Sequence, residues 1–197
     1  MKKLIANSGM ETAAGFEPGP QGGRAGSLLS AAAPAANWVK MNDMEAQKSP
    51  FPGITPHLHP PRVRIKTWFI EPAGMFNKAD PGTQINAAVA THISEHVYNL
   101  MRARFPLASR YLFIHDFSES AGYDTQGRQI LTQWALRVRS QIANVIVITP
   151  PTNSLFSMGL DTVSMMLRMS GIPFEIATSL EQVRARYPMK PCSDSAP

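Results

Sequence analysis

Cysteine is almost missing from this chain: Cys192 is the only one in 197 residues. A single thiol excludes an intramolecular disulfide framework and any zinc site built from cysteines. Long apolar runs are missing too, and nothing approaches the ~18 residues a membrane-spanning helix needs. No glycine-rich turn follows a strand in a phosphate-cradling pattern, and no G-x-S-x-G elbow occurs. Charge of one sign is scarce as a block. The 19 Lys+Arg and 14 Asp+Glu leave a net +5, scattered along the chain. Such an excess is too small and too dispersed to argue nucleic-acid binding, although a face meeting acidic partners or anionic headgroups stays open.

What the chain has in quantity is unevenly placed. Residues 1–61 are rich in proline, glycine and small residues, including Ala31-Ala32-Ala33-Pro34. They cannot bury enough apolar surface to offset the entropy of ordering them, so a disordered arm and linker is expected over 1–61. Lys2-Lys3 and Leu4-Ile5-Ala6 run into Asn7, Ser8 and Glu11. No signal-peptide core develops, and a cytoplasmic protein is the expectation. Met41 and Met44 are alternative starts, because the folded pattern lies after them. Pro50, Pro52, Pro56, Pro60 and Pro61 read as an extended linker. His57 and His59 sit within it; two imidazoles so spaced can chelate a metal, but a flexible linker seldom does so alone. Residues 188–197 read as a flexible tail.

Between them, residues 62–187 carry nearly all the periodic Val/Ile/Leu/Met content. Val63 and Ile65 alternate with charged residues and lead into Trp68-Phe69-Ile70, a strand. Met75-Phe76 is a short second strand or only a turn. Val89, Ile93, Val97 and Met101 share one helical face, and Pro106 ends that helix. Tyr111-Leu112-Phe113-Ile114 is a strand, followed by a helix capped by Asp124, with Leu131 and Trp134 on its apolar side. The run Val145–Ile148 suits a parallel strand buried on both faces. A helix over 155–169 stops at Gly171, Phe174–Ile176 is a short strand, and Ser179 opens a last helix. This alternation predicts an α/β domain with a mostly parallel, four- to five-stranded sheet and flanking helices.

Three groups of residues invite chemistry. His92, Glu95 and His96 match the H-x-x-E-H string of certain zinc hydrolases, in which two histidines bind metal and the glutamate is the base. A third ligand is needed, and Glu175 and Glu181 are the downstream candidates; a polar shoulder of the helix is the blander account and the one expected. His115-Asp116 stands at a strand's carboxyl end, where open α/β sheets place ligands. Asp116, Ser118, Glu119, Ser120 and Asp124 crowd that rim, yet the residues of a receiver-type phosphoacceptor are incomplete. Met158, Met165, Met166 and Met169 follow helical spacing and are expected to face the core.

From Arg110 to Tyr187 the chain resembles a STAS domain of the anti-sigma-factor-antagonist (SpoIIAA-like) type. The residues that carry the likeness are Tyr111–Asp116, Asp124-Thr125-Gln126-Gly127, the strand 145–148, and the stretch 174–182. The resemblance implies a STAS-like fold and a non-enzymatic regulatory module that docks a protein partner near the helix start. The family's D-S-S-G motif has its phosphorylatable serine in third place, where Gln126 stands here, while Thr125 keeps a hydroxyl in the second. The interaction and phosphorylation candidates are therefore Asp116, Ser118, Ser120, Asp124, Thr125 and Arg128. No cofactor, no nucleic acid and no integral membrane segment are expected, and self-association stays open. The competing expectations are a metal-dependent hydrolase on His92, Glu95 and His96, and a SEC14-like domain holding a lipid or small ligand against the sheet.

Overall fold

A computed structural model describes residues 49–149 and 154–193. The arm through residue 48, with Met41 and Met44, and the last four residues lie outside them. Strands β1 (His57–Leu58), β2 (Ile65–Glu71), β3 (Gly74–Ala79), β5 (Tyr111–Asp116), β7 (Ile142–Ile148), β8 (Phe174–Ala177) and β9 (Lys190–Pro191) form a seven-stranded sheet. Its order is β1-β2-β3-β5-β7-β8, with β9 beside β1 on the outer edge of β2. The strands from β3 to β8 pair in parallel, and β2 runs against all its neighbours. The architecture is mixed α/β, with a sheet larger than the four or five strands expected.

Met75-Phe76 lies in a full strand rather than a turn. It pairs with β2 through Trp68↔Phe76 and with β5 through Phe76↔Ile114. Gly74 permits the close approach of β5, since a Cβ there would lie 2.8 Å from the Leu112 carbonyl oxygen.

Helix α1 covers 87–104 as an α-helical Ala87–Thr91, a π-helical His92–Val97 and an α-helical Tyr98–Arg104. α2 is Thr125–Arg137, α3 is Ser154–Met169 and α4 is Leu180–Arg186. Each of the first three links neighbouring parallel strands, and all three bury their apolar stripes on one sheet face. Val89, Ile93, Val97, Trp134, Leu160, Val163 and Leu167 pack there against Met75, Phe113, Val145 and Val147. The other face holds Phe51, Trp68, Ile70, Phe76, Ile114, Ile146 and Val183 of α4. β7 feeds both faces, which is why its sequence is an unbroken apolar run.

A second, two-stranded parallel sheet joins β4 (Gln84–Ile85) to β6 (Gly122–Tyr123). It ties together the segments that open α1 and α2. Asn86 caps α1 by accepting from the Val89 amide at 3.1 Å, and the Asp124 amide donates to Ile85 at 3.1 Å.

Two boundaries differ from expectation. Residues 49–61 are not a free linker: Phe51 is buried, and His57–Leu58 pair with Thr67 and Lys66. The start of the tail is likewise held, since Lys190 and Pro191 pair with Glu71 and Ile70. A strand edge offers unpaired backbone groups, and these flanks occupy the outer edge of β2.

Candidate functional site

The residues expected to share one rim divide between the two sheet faces. Side chains alternate along β5, so His115 joins the face of α1–α3 while Asp116 turns to the face of α4. Asp116 is buried and accepts from both the amide (3.1 Å) and the hydroxyl (2.6 Å) of Ser118. It borders a shallow depression with Lys78, Ser118, Thr178, Ser179 and Arg184. The Ser120 hydroxyl is spent on the Phe117 carbonyl at 2.8 Å.

Asp124, Thr125 and Arg128 lie together at the start of α2. The Asp124 carboxylate accepts from the Gly127 amide at 2.6 Å, the cap expected from its place in the sequence. Gly127 sits so close to the first sheet-to-helix turn that a Cβ would lie 2.5 Å from the Ile85 carbonyl oxygen. This seats the first turn of α2 and leaves Thr125 and Gln126 exposed. The Arg128 guanidinium reaches across to α3, where an added Cβ on Gly159 would meet it at 2.5 Å.

α3 corrects the expectation for the methionines. Met158, Met165, Met166 and Met169 are exposed, at 66%, 65%, 41% and 78% of their surface, and form a stripe opposite the buried Leu160, Val163 and Leu167. Met158 is next in sequence to the glycine that Arg128 covers, so the stripe adjoins the start of α2.

No family model, no curated protein and no solved structure matches this chain.

Four of the five histidines converge at the β1–α1 corner, including the two in the proline-rich stretch expected to be a linker. The rings of His57 and His59 are 4.9 Å apart, those of His59 and His92 4.7 Å, and those of His92 and His96 4.8 Å. Pairing of β1 with β2 brings the first two histidines in, and the π-helical turn of α1 presents the other two; such turns recur at functional sites. Glu95 is exposed and is not part of this convergence. Glu175, considered as a third ligand, is bonded instead to Tyr187, Asn144 and Arg186. Among the described residues the H-x-x-E-H string therefore assembles no metalloprotease-like set, and its two histidines find partners upstream rather than downstream.

Behind the histidines runs a polar row buried across the sheet. Thr67, Asn77 and His115 are successive register partners on β2, β3 and β5. The Thr67 hydroxyl donates to Asn77 Oδ1 at 2.6 Å, so its oxygen accepts from His59 Nε2 at 2.8 Å. Asn77 Nδ2 donates to His115 Nδ1 at 3.2 Å. His59 Nδ1 is then an acceptor and receives His92 Nε2 at 2.9 Å. Burial, reinforced by the neighbouring histidines, holds His59 down to about 3, and it lowers His57 and His92 as well. Burial alone brings His115 to about 4. These imidazoles are neutral at neutral pH.

The space between α2, α3 and the sheet is small. A cavity of about 40 Å³, lined by His115, Phe117, Tyr123, Trp134 and Leu160 among others, matches a few waters at most and is far smaller than an acyl chain. A lipid held against this face would require α2 and α3 to part.

Proposed function

We propose that this chain is a non-enzymatic, STAS-like regulatory module that docks a protein partner on the start of α2 and the adjoining exposed face of α3. The observation that carries the reading is the methionine stripe. Large apolar side chains left in water along one helix, beside a polar helix start, are a feature of interaction surfaces. Methionine suits such a surface because its flexible, polarizable chain adapts to varied contours.

The arrangement of α2 supports the family likeness. Asp124 caps the helix, Gly127 allows its first turn to seat, and Thr125 stands exposed at the first helical position. A phosphate on Thr125 would meet the favourable end of the helix dipole. The consecutive order β3-β5-β7-β8, with three helices on one face, suits a compact module that presents helices to a partner.

The test is capture of partners by the full chain, followed by titration of the captured partner against variants. Thr125→Glu, and separately the pair Met165→Glu and Met169→Glu, are expected to weaken binding at least ~10-fold, an effect of ~1.4 kcal/mol. Unchanged affinity in both would remove this surface from consideration.

A further inference from the structure

We propose that His57, His59 and His96 form a zinc-binding site, with His92 at its margin, that clips strand β1 to helix α1. One nitrogen from each of the three rings lies within 4.8 Å of the others. A tetrahedral zinc with Zn–N bonds of ~2.0–2.1 Å sets its nitrogen ligands ~3.3 Å apart. His57 and His96 are exposed, so small rotations about their side-chain bonds close the difference.

The donor set selects the metal. Imidazole nitrogens with no carboxylate among them disfavour calcium and magnesium, which take oxygen ligands. They suit zinc and its borderline neighbours.

His59 is the pre-set member. Its Nε2–H is fixed on the Thr67 hydroxyl, which is itself anchored on Asn77. Orientation of a ligating imidazole by a hydrogen bond from its second nitrogen is characteristic of metal-binding histidines. The remaining lone pair on Nδ1 points toward the cluster, where it accepts from His92. A zinc ion takes over that lone pair, and His92, released from the bond, is adjacent to the fourth position. With Glu95 outside the cluster, no carboxylate among the described residues joins it as a base. The site is therefore one that joins two segments rather than one that cleaves a substrate. The segments it joins are far apart in sequence, and β1 itself pairs with β2 over two residues.

The experiment uses the untagged full-length chain, freed of metal with a chelator and titrated calorimetrically with Zn²⁺. One zinc per chain is expected, with a rise in Tm of several degrees at a hundredfold excess over Kd. Cobalt(II) in place of zinc should give the visible absorption of a tetrahedral site. His57→Ala and His96→Ala alter exposed side chains, so their metal-free melting should match wild type. Each should weaken zinc at least ~10-fold, and the double variant should abolish stoichiometric binding. Absence of one-to-one binding by the wild-type chain, or equal affinity in a folded double variant, overturns the proposal.

Discussion

At the scale of single residues, the most consequential side chain is His115. Its place at the end of a strand suggested a surface role beside Asp116, and only the alternation along β5 separates the two. The sequence shows both residues but not which one the helices cover. Buried under α1–α3 and held to Asn77, His115 stays neutral down to about 4, whereas an unfolded histidine titrates near ~6.5. The native state thus binds fewer protons than the unfolded chain between those values. Stability falls as pH drops from ~6.5 toward ~4 and the loss levels off below that. Its full size is about 3 kcal/mol. Urea denaturation at pH 7 and pH 4.5 should show most of this drop in the wild type. His57, His59 and His92 shift in the same direction, so the informative comparison is with His115→Gln, which keeps an acceptor for Asn77. That variant should lose less stability over the same interval. An identical loss would mean that His115 is not the buried neutral group.

At the scale of elements, periodicity revealed the long helices and central strands but not which way one helix faces. The Asp124 cap formed as read. The turn at Gly171 did too, with φ of +79°, a conformation that glycine adopts without strain. Ser179 accepts from the Gln182 amide at 3.2 Å, as its spacing suggested. α3, by contrast, carries two apolar stripes at the same helical period, one of methionines and one of Leu160, Val163 and Leu167. A period identifies a face without saying which face is inside; the exposed stripe shows itself only once the sheet is placed. The two stripes should respond differently to mutation. Leu167→Ala deletes buried methyl groups and should cost ~2–5 kcal/mol. Met165→Glu with Met169→Glu should change stability by no more than ~0.5 kcal/mol per site. Chemical denaturation of both variants checks this, and a comparable loss from the methionine changes would place that stripe in the core. The shortest strands were illegible for a simpler reason: two residues cannot display an alternation.

At the scale of the whole molecule, the sheet is closed on one side by segments that composition assigned to an arm and a tail. Prolines at 50, 52, 56, 60 and 61 suggested a spacer, yet proline is also tolerated at sheet edges, where one missing amide donor costs little. The anchor within that stretch is Phe51. Its ring meets Phe76 edge-on at 5.7 Å and Trp68 at 6.0 Å, and the Arg184 guanidinium covers it at 5.7 Å. Trp68 Nε1 donates to the Ile54 carbonyl at 3.2 Å, and the Cys192 amide donates to Phe69 at 2.9 Å. None of these partners is near in sequence, so local pattern could not expose them. The candidate metal site follows the same logic, because its histidine pairs meet only when β1 docks. A chain shortened to begin at residue 62 should therefore be less stable than one beginning at residue 49. Losing Phe51 alone should cost ~3–5 kcal/mol, as expected for emptying a buried aromatic site, and Phe51→Ala in the full chain should reproduce most of that loss. The decisive measurement is the urea midpoint of the three proteins. Equal midpoints for the chains starting at 49 and 62 would return residues 49–61 to the status of a linker. A low midpoint for both the shortened chain and Phe51→Ala would make them part of the fold.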